Sequence, residues 1–154
     1  MGQQDQTEIW FYHLERAPLE RVLPELLEKT LAKGWRAQVR VGNQEQLDAL
    51  NTLLWTYRPD SFLPHGSAKD GNEPDQPISL TLDDSNINKA NALFLVDGAL
   101  PGDVSDFERC ISIFDGNDDE ALQGARDFWK HAKGQGRAVT YWQQSERGKW
   151  EKKA

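Results

Sequence analysis

Residues 8–42, EIWFYHLERAPLERVLPELLEKTLAKGWRAQVRVG, decide the fold. The opening EIWFYH is an aromatic run of strand length. After Pro18, Leu19, Val22, Leu23, Leu26, Leu27 and Leu31 recur at helical spacing, and RAQVRVG then alternates as a strand does. Strand, amphipathic helix and strand in that order predict a βαβ unit, and hence a parallel sheet. Pro24 falls inside the helical pattern and removes a backbone donor, so the helix is expected either to kink there or to begin near it. Gly34 is the expected stop.

Outward from this unit the alternation continues. Asn43 is a candidate cap for a second helix carrying Leu47, Leu50, Leu53 and Leu54. Pro, Gly, Asp and Asn break the pattern between Pro59 and Pro77, which reads as an exposed loop. ISLTL at 78–82 and ALFLVDG at 92–98 read as strands, as does the stretch Ile111 to Phe114. A helix opens near Asp118 with acidic residues first and lysines last, as the helix dipole favours. RAVTYWQQ at 137–144 reads as a final strand and SERGKWEKKA, from about residue 145, as a basic tail. The expectation is a single α/β domain over residues 1–154, a mainly parallel sheet flanked by helices.

Composition narrows the function classes. With 154 residues, six Trp, six Phe and three Tyr, the chain has the length and the large apolar side chains for one buried core. The lone Cys110 makes no internal disulfide, and no Cys/His cluster has zinc spacing, so neither a secreted disulfide scaffold nor a structural metal is expected. The first residues lack a signal-peptide pattern and no apolar run is long enough to span a membrane, which points to the cytoplasm. The net charge of −7 opposes a protein that coats nucleic acid. From Arg126 onward, however, eight Lys or Arg stand against three Asp or Glu, a local +5, which leaves −12 on residues 1–125. An acidic partner is expected to dock on the C-terminal part.

Neither G-x-G-x-x-G nor a P-loop is present, and LERAPLE after the first strand has no glycine to admit a phosphate, so no nucleotide cofactor is expected. The GQG at 134–136 follows a helix and reads as its stop. Asp60, Ser61 and His65 lie together without the turn that exposes a nucleophile, and a structured loop explains them better than a triad. Cys110, within an apolar segment, reads as a buried hydrophobe. Asp115, Asn117, Asp118 and Asp119 do not match a calcium loop, and helix capping accounts for them.

Two constellations remain. Trp55, Tyr57, Phe62, Leu63 and Pro64 crowd aromatic rings and prolines around a predicted helix end; core packing and a partner surface both account for them. Arg126, Trp129, Lys130 and Lys133 fall at i, i+3, i+4 and i+7, which gathers three cations around an indole on one helical face. By the residues alone a solvated basic face with Trp129 turned to the core accounts for the pattern better.

Three segments carry a resemblance: LNTLLWTYRPDSFLPHG at 50–66, LFLVDGALP with FERCISIFDG across 93–116, and ALQGARDFWKHAKGQG at 121–136. With the opening FYHL they resemble the chi subunit family of bacterial DNA polymerase III holoenzyme. The resemblance implies a Rossmann-like topology without a nucleotide site and a non-catalytic role bridging the clamp loader to single-stranded-DNA-binding protein. It implies contact with a psi subunit, or another replisome or helicase partner, at Trp55, Phe62 and Pro64. It also implies that the acidic tail of single-stranded-DNA-binding protein, ending in an apolar residue and a free carboxylate, is held by Arg126, Trp129, Lys130 and Lys133. The family commonly has Tyr where this chain has Trp129. Nucleic-acid contact is then mainly indirect. The competing expectations are a direct single-stranded nucleic-acid binder that stacks bases on Trp129, Trp142 and Trp150, and a degenerate α/β enzyme with its site in the 59–77 loop.

Overall fold

The computed structural model describes residues 7–15, 19–56, 65–66, 77–82, 88–96, 99, 104, 107–144 and 149–153. In chain order the elements are β1 (Glu8–Leu14), α1 (Leu19–Ala32), β2 (Ala37–Arg40), α2 (Gln44–Thr56), β3 (His65–Gly66), β4 (Ile78–Thr81), β5 (Ala92–Leu95), β6 (Arg109–Asp115), α3 (Asp119–Gly134), β7 (Val139–Gln144) and β8 (Trp150–Lys152). They form one sheet in the order β3-β4-β2-β5-β6-β1-β7-β8. Among the described residues every pairing from β1 to β7 is parallel, and only β8 runs antiparallel, against β7. The expected α/β architecture with a mainly parallel sheet is what the chain adopts.

Strand alternation sorts the core into two layers. Tyr12, Val39, Leu80, Phe94, Ile111 and Ile113 face α1 and α2, packing with Val22, Leu23, Leu27, Leu47, Leu50 and Leu54. The alternate residues Ile9, Phe11, Leu93, Cys110 and Phe114 face the other way, toward Ala125 and Ala132 of α3. Each large apolar side chain removed from water in this way contributes about 1.5–3 kcal/mol.

Local chemistry sets the ends. Asn43 caps α2 by accepting from the Gln46 N–H at 2.9 Å. Gly34, at φ +86°, closes α1. Its N–H donates to the Leu31 carbonyl at 2.9 Å and that of Trp35 to Thr30 at 3.2 Å, a pairing that requires the left-handed backbone glycine adopts freely. Pro24 does not start α1, which already begins at Leu19; the proline sits inside the helix and is buried, so its apolar ring offsets part of the missing backbone bond.

Two expectations are corrected. Residues 145–154 are not simply a basic tail, because Trp150–Lys152 adds a strand to the sheet, with Gln144 opposite Trp150. Within the 59–77 loop, His65 and Gly66 pair with β4. RAQVRVG forms a strand as its alternation predicts, and its polar side chains Gln38 and Arg40 are both buried. Here β2 lies between β4 and β5 with both faces covered, and Arg40 Nη2 donates to Gln38 Oε1 at 3.1 Å.

Candidate functional site

The α3 helix is fixed at both ends before any partner is considered. Asp118 accepts from the N–H groups of Glu120 at 3.0 Å and Ala121 at 3.4 Å, which satisfies two donors of the first turn. At the other end Gly136, at φ +78°, donates to Lys133 and Arg137 to Ala132. The GQG segment is therefore a helix stop.

Ala121, Ala125, Phe128, Trp129 and Ala132 line the buried or half-buried stripe of the helix. Trp129 sits at the margin of that stripe. Its ring centroid is 5.9 Å from Phe11 of β1 and 5.9 Å from Tyr141 of β7, while Lys133 Nζ lies 5.4 Å above the ring. Arg126, Lys130 and Lys133 are exposed on the flank beyond it. The indole packs on the sheet, and its outer flank carries three cations. All four predicted residues share one stretch of surface.

Trp55 lies in the last turn of α2, with its side chain outside the described residues, as are Phe62 and Pro64. The backbone places α2 against β3 and β4 and α3 against β6 and β7, toward opposite ends of the sheet. Asp60 and Ser61 likewise fall outside the described residues, and of His65 only the strand backbone is described. Cys110 is fully buried, and burial pushes its thiol up to about 12 despite the nearby Arg40 and Arg137. Such a group stays protonated and inert.

Sequence reasoning missed a polar chain at the rim of the α3 face. Phe11, His13, Tyr141 and Gln143 point to one side of paired strands, with Phe11 opposite Tyr141 and His13 opposite Gln143. His13 Nδ1 lies 2.7 Å from the Tyr141 hydroxyl and Nε2 lies 3.3 Å from Glu15 Oε1. Gln143 Nε2 donates to the same Glu15 oxygen. Burial lowers the affinity of His13 for a proton, while the Glu15 and Asp115 carboxylates act the other way. Burial also raises the Tyr141 hydroxyl above its usual value, opposed by the Arg126 guanidinium and reinforced by Glu15. The hydroxyl remains a proton donor at neutral pH, within the field of Arg126.

Fold and face together define an α/β domain that presents a cation-flanked aromatic helix at one end of a parallel sheet. The model of the family described as DNA polymerase III chi subunit, HolC, matches residues 7–140, and the chain belongs to that family. It is 28% identical over 134 residues to the DNA polymerase III subunit chi of Pseudomonas aeruginosa, covering 84% of this chain and 92% of that protein. It is also 28% identical over 103 residues to the probable DNA polymerase III subunit chi of Rickettsia prowazekii, covering 67% of this chain. The aligned part spans 62% of the Rickettsia protein. Members of the family are non-catalytic accessory subunits of DNA polymerase III, so the chain is a DNA-replication protein and not an enzyme. Among the described residues no helix is long and apolar enough to cross a membrane.

Proposed function

We propose that this chain is a cytoplasmic adaptor that links the clamp loader and polymerase III holoenzyme to single-stranded-DNA-binding protein by holding the acidic C-terminal tail of that protein on α3. Arg126 takes the terminal carboxylate, Trp129 walls the slot for the last apolar side chain, and Lys130 and Lys133 face the acidic residues behind it. A planar guanidinium matches a carboxylate bidentately, and surrounding ammonium groups add attraction that needs little geometry. The Trp55, Phe62 and Pro64 segment takes a psi-type subunit or another replisome or helicase partner, and nucleic acid is reached through these proteins.

The observation that supports this reading is the arrangement on α3: three exposed cations on the open flank of a tryptophan that is anchored on its other side by Phe11 and Tyr141. A solvated basic face needs no such ring at its margin.

A double cycle tests it. Arg126→Ala should weaken an acidic peptide with a free C-terminal carboxylate by about thirtyfold, or about 2 kcal/mol. Amidating the peptide should weaken wild type similarly and add little in the variant, because both changes remove one pair. Fully additive losses, or a preference of the wild-type protein for oligonucleotide over peptide, would refute the assignment.

A further inference from the structure

The His13–Tyr141 pair holds a proton whose direction can be read from its neighbours. Glu15 Oε1 lies 3.3 Å from Nε2, and its negative charge favours the neutral tautomer with the hydrogen on Nε2, which leaves Nδ1 as the acceptor. The Tyr141 hydroxyl, 2.7 Å away, must then donate to Nδ1. In that state its hydrogen is committed inward and only lone pairs face outward, an arrangement that repels a carboxylate. When His13 is protonated both ring nitrogens donate, Nδ1–H points at the Tyr141 oxygen, and the phenolic O–H is released to turn outward.

Its position makes that release consequential. The Tyr141 ring packs edge-on against Trp129, with centroids 5.9 Å apart, and its hydroxyl lies in the field of Arg126. The imidazole is clamped beside Phe114, 5.1 Å between centroids, and over Gly116, where a Cβ would overlap the ring. With His13 only 12% exposed in its side chain, the ring cannot swing away when it charges. Among the described residues the charged and titratable groups around it are Glu15 beyond its own strand, Asp115 on β6 and Tyr141 on β7, with Arg126 of α3 acting on the Tyr141 oxygen.

We propose that Tyr141 is a further ligand-contacting residue of the α3 face, donating its hydroxyl to a carboxylate of the acidic ligand when His13 takes up a proton, with His13 and Glu15 as positioning residues. The proposal rests on the acidic-tail reading above. The proton comes from solvent and lodges on Nδ1; no bond other than hydrogen bonds is made or broken. An anionic ligand stabilises the imidazolium, and the imidazolium frees the donor the ligand uses, so binding and proton uptake are linked.

The test uses the full chain and a labelled oligo-aspartate peptide closed by an apolar residue with a free carboxylate. A His131→Gln background removes the exposed histidine of the same helix. Between about pH 8 and about pH 5.5 the affinity should rise, and calorimetry in buffers of different ionisation enthalpy should show net proton uptake on binding. His13→Gln should abolish both the pH-dependent gain and the uptake while leaving the affinity at high pH within about twofold. Tyr141→Phe, which keeps the ring that packs on Trp129, should lose about tenfold at low pH and little at high pH. Peptide binding with the same pH profile in wild type, His13→Gln and Tyr141→Phe would overturn this inference alone. The absence of peptide binding to the wild type at every pH would overturn the tail reading, and this inference with it.

Discussion

His13 shows how one side chain couples the interior to the medium. Its imidazole is held against Phe114 and Gly116, where burial, the largest influence, disfavours the proton and the Glu15 and Asp115 carboxylates only partly restore it. In the unfolded chain the same group titrates near its ordinary value, about pH 6.5. Just below that pH the unfolded state binds more protons than the folded one, so this group's contribution to stability is complete above about pH 6.5 and is lost as pH falls through the lower folded value. Thermal unfolding from about pH 7.5 down to about pH 5 should show a falling midpoint, and His13→Gln should flatten that slope in the absence of ligand. An unchanged slope would place the acid sensitivity elsewhere. None of this was legible in the sequence. His13 is one of three histidines in the sequence, but its partner Tyr141 is 128 residues away, and the pairing of β1 with β7 that joins them has no local signature.

Among the elements, α3 was the most legible, because its signals are local: an acidic first turn, a capping aspartate, a lysine-bearing last turn and a glycine beyond it. Asp118 begins the cap and α3 spans Asp119–Gly134 as those signals indicate. Asp118→Ala should cost about 1 kcal/mol of stability, seen as a lowered denaturant midpoint with unchanged slope. It should leave peptide affinity unchanged, since the cations lie in later turns. A loss of affinity larger than the loss of stability would show that the first turn itself belongs to the binding surface. Trp150–Lys152 escaped detection for the opposite reason. A three-residue strand rich in charge has no periodicity to read, and its existence depends on β7 being there to pair with it. The burial of Gln38 and Arg40 was likewise hidden, since an alternating strand announces one wet face and only the sheet order covers both.

For the whole molecule, the parallel α/β class followed from strand and helix alternation, whereas the strand order did not: β1 and β2 come in succession yet lie apart, with β5 and β6 between them. That order sets α2 and α3 at opposite ends of the sheet and gives the two proposed surfaces their independence. Trp55→Ala should therefore weaken a psi-type partner by about 2 kcal/mol or more while sparing peptide binding on α3. Titrating one folded variant against both ligands checks this, and loss of the peptide alone would reverse the assignment. The ends of the sheet have one more consequence. Among the described residues one outer strand has two residues, and the other has three, two of them, Glu151 and Lys152, charged and exposed. Margins this short, one of them charged, offer a poor template for another chain's backbone, which favours recognition of a visiting peptide through side chains. On the proposed function, an extended acidic segment is then selected by the few residues presented on α3 and not by backbone pairing at a sheet margin.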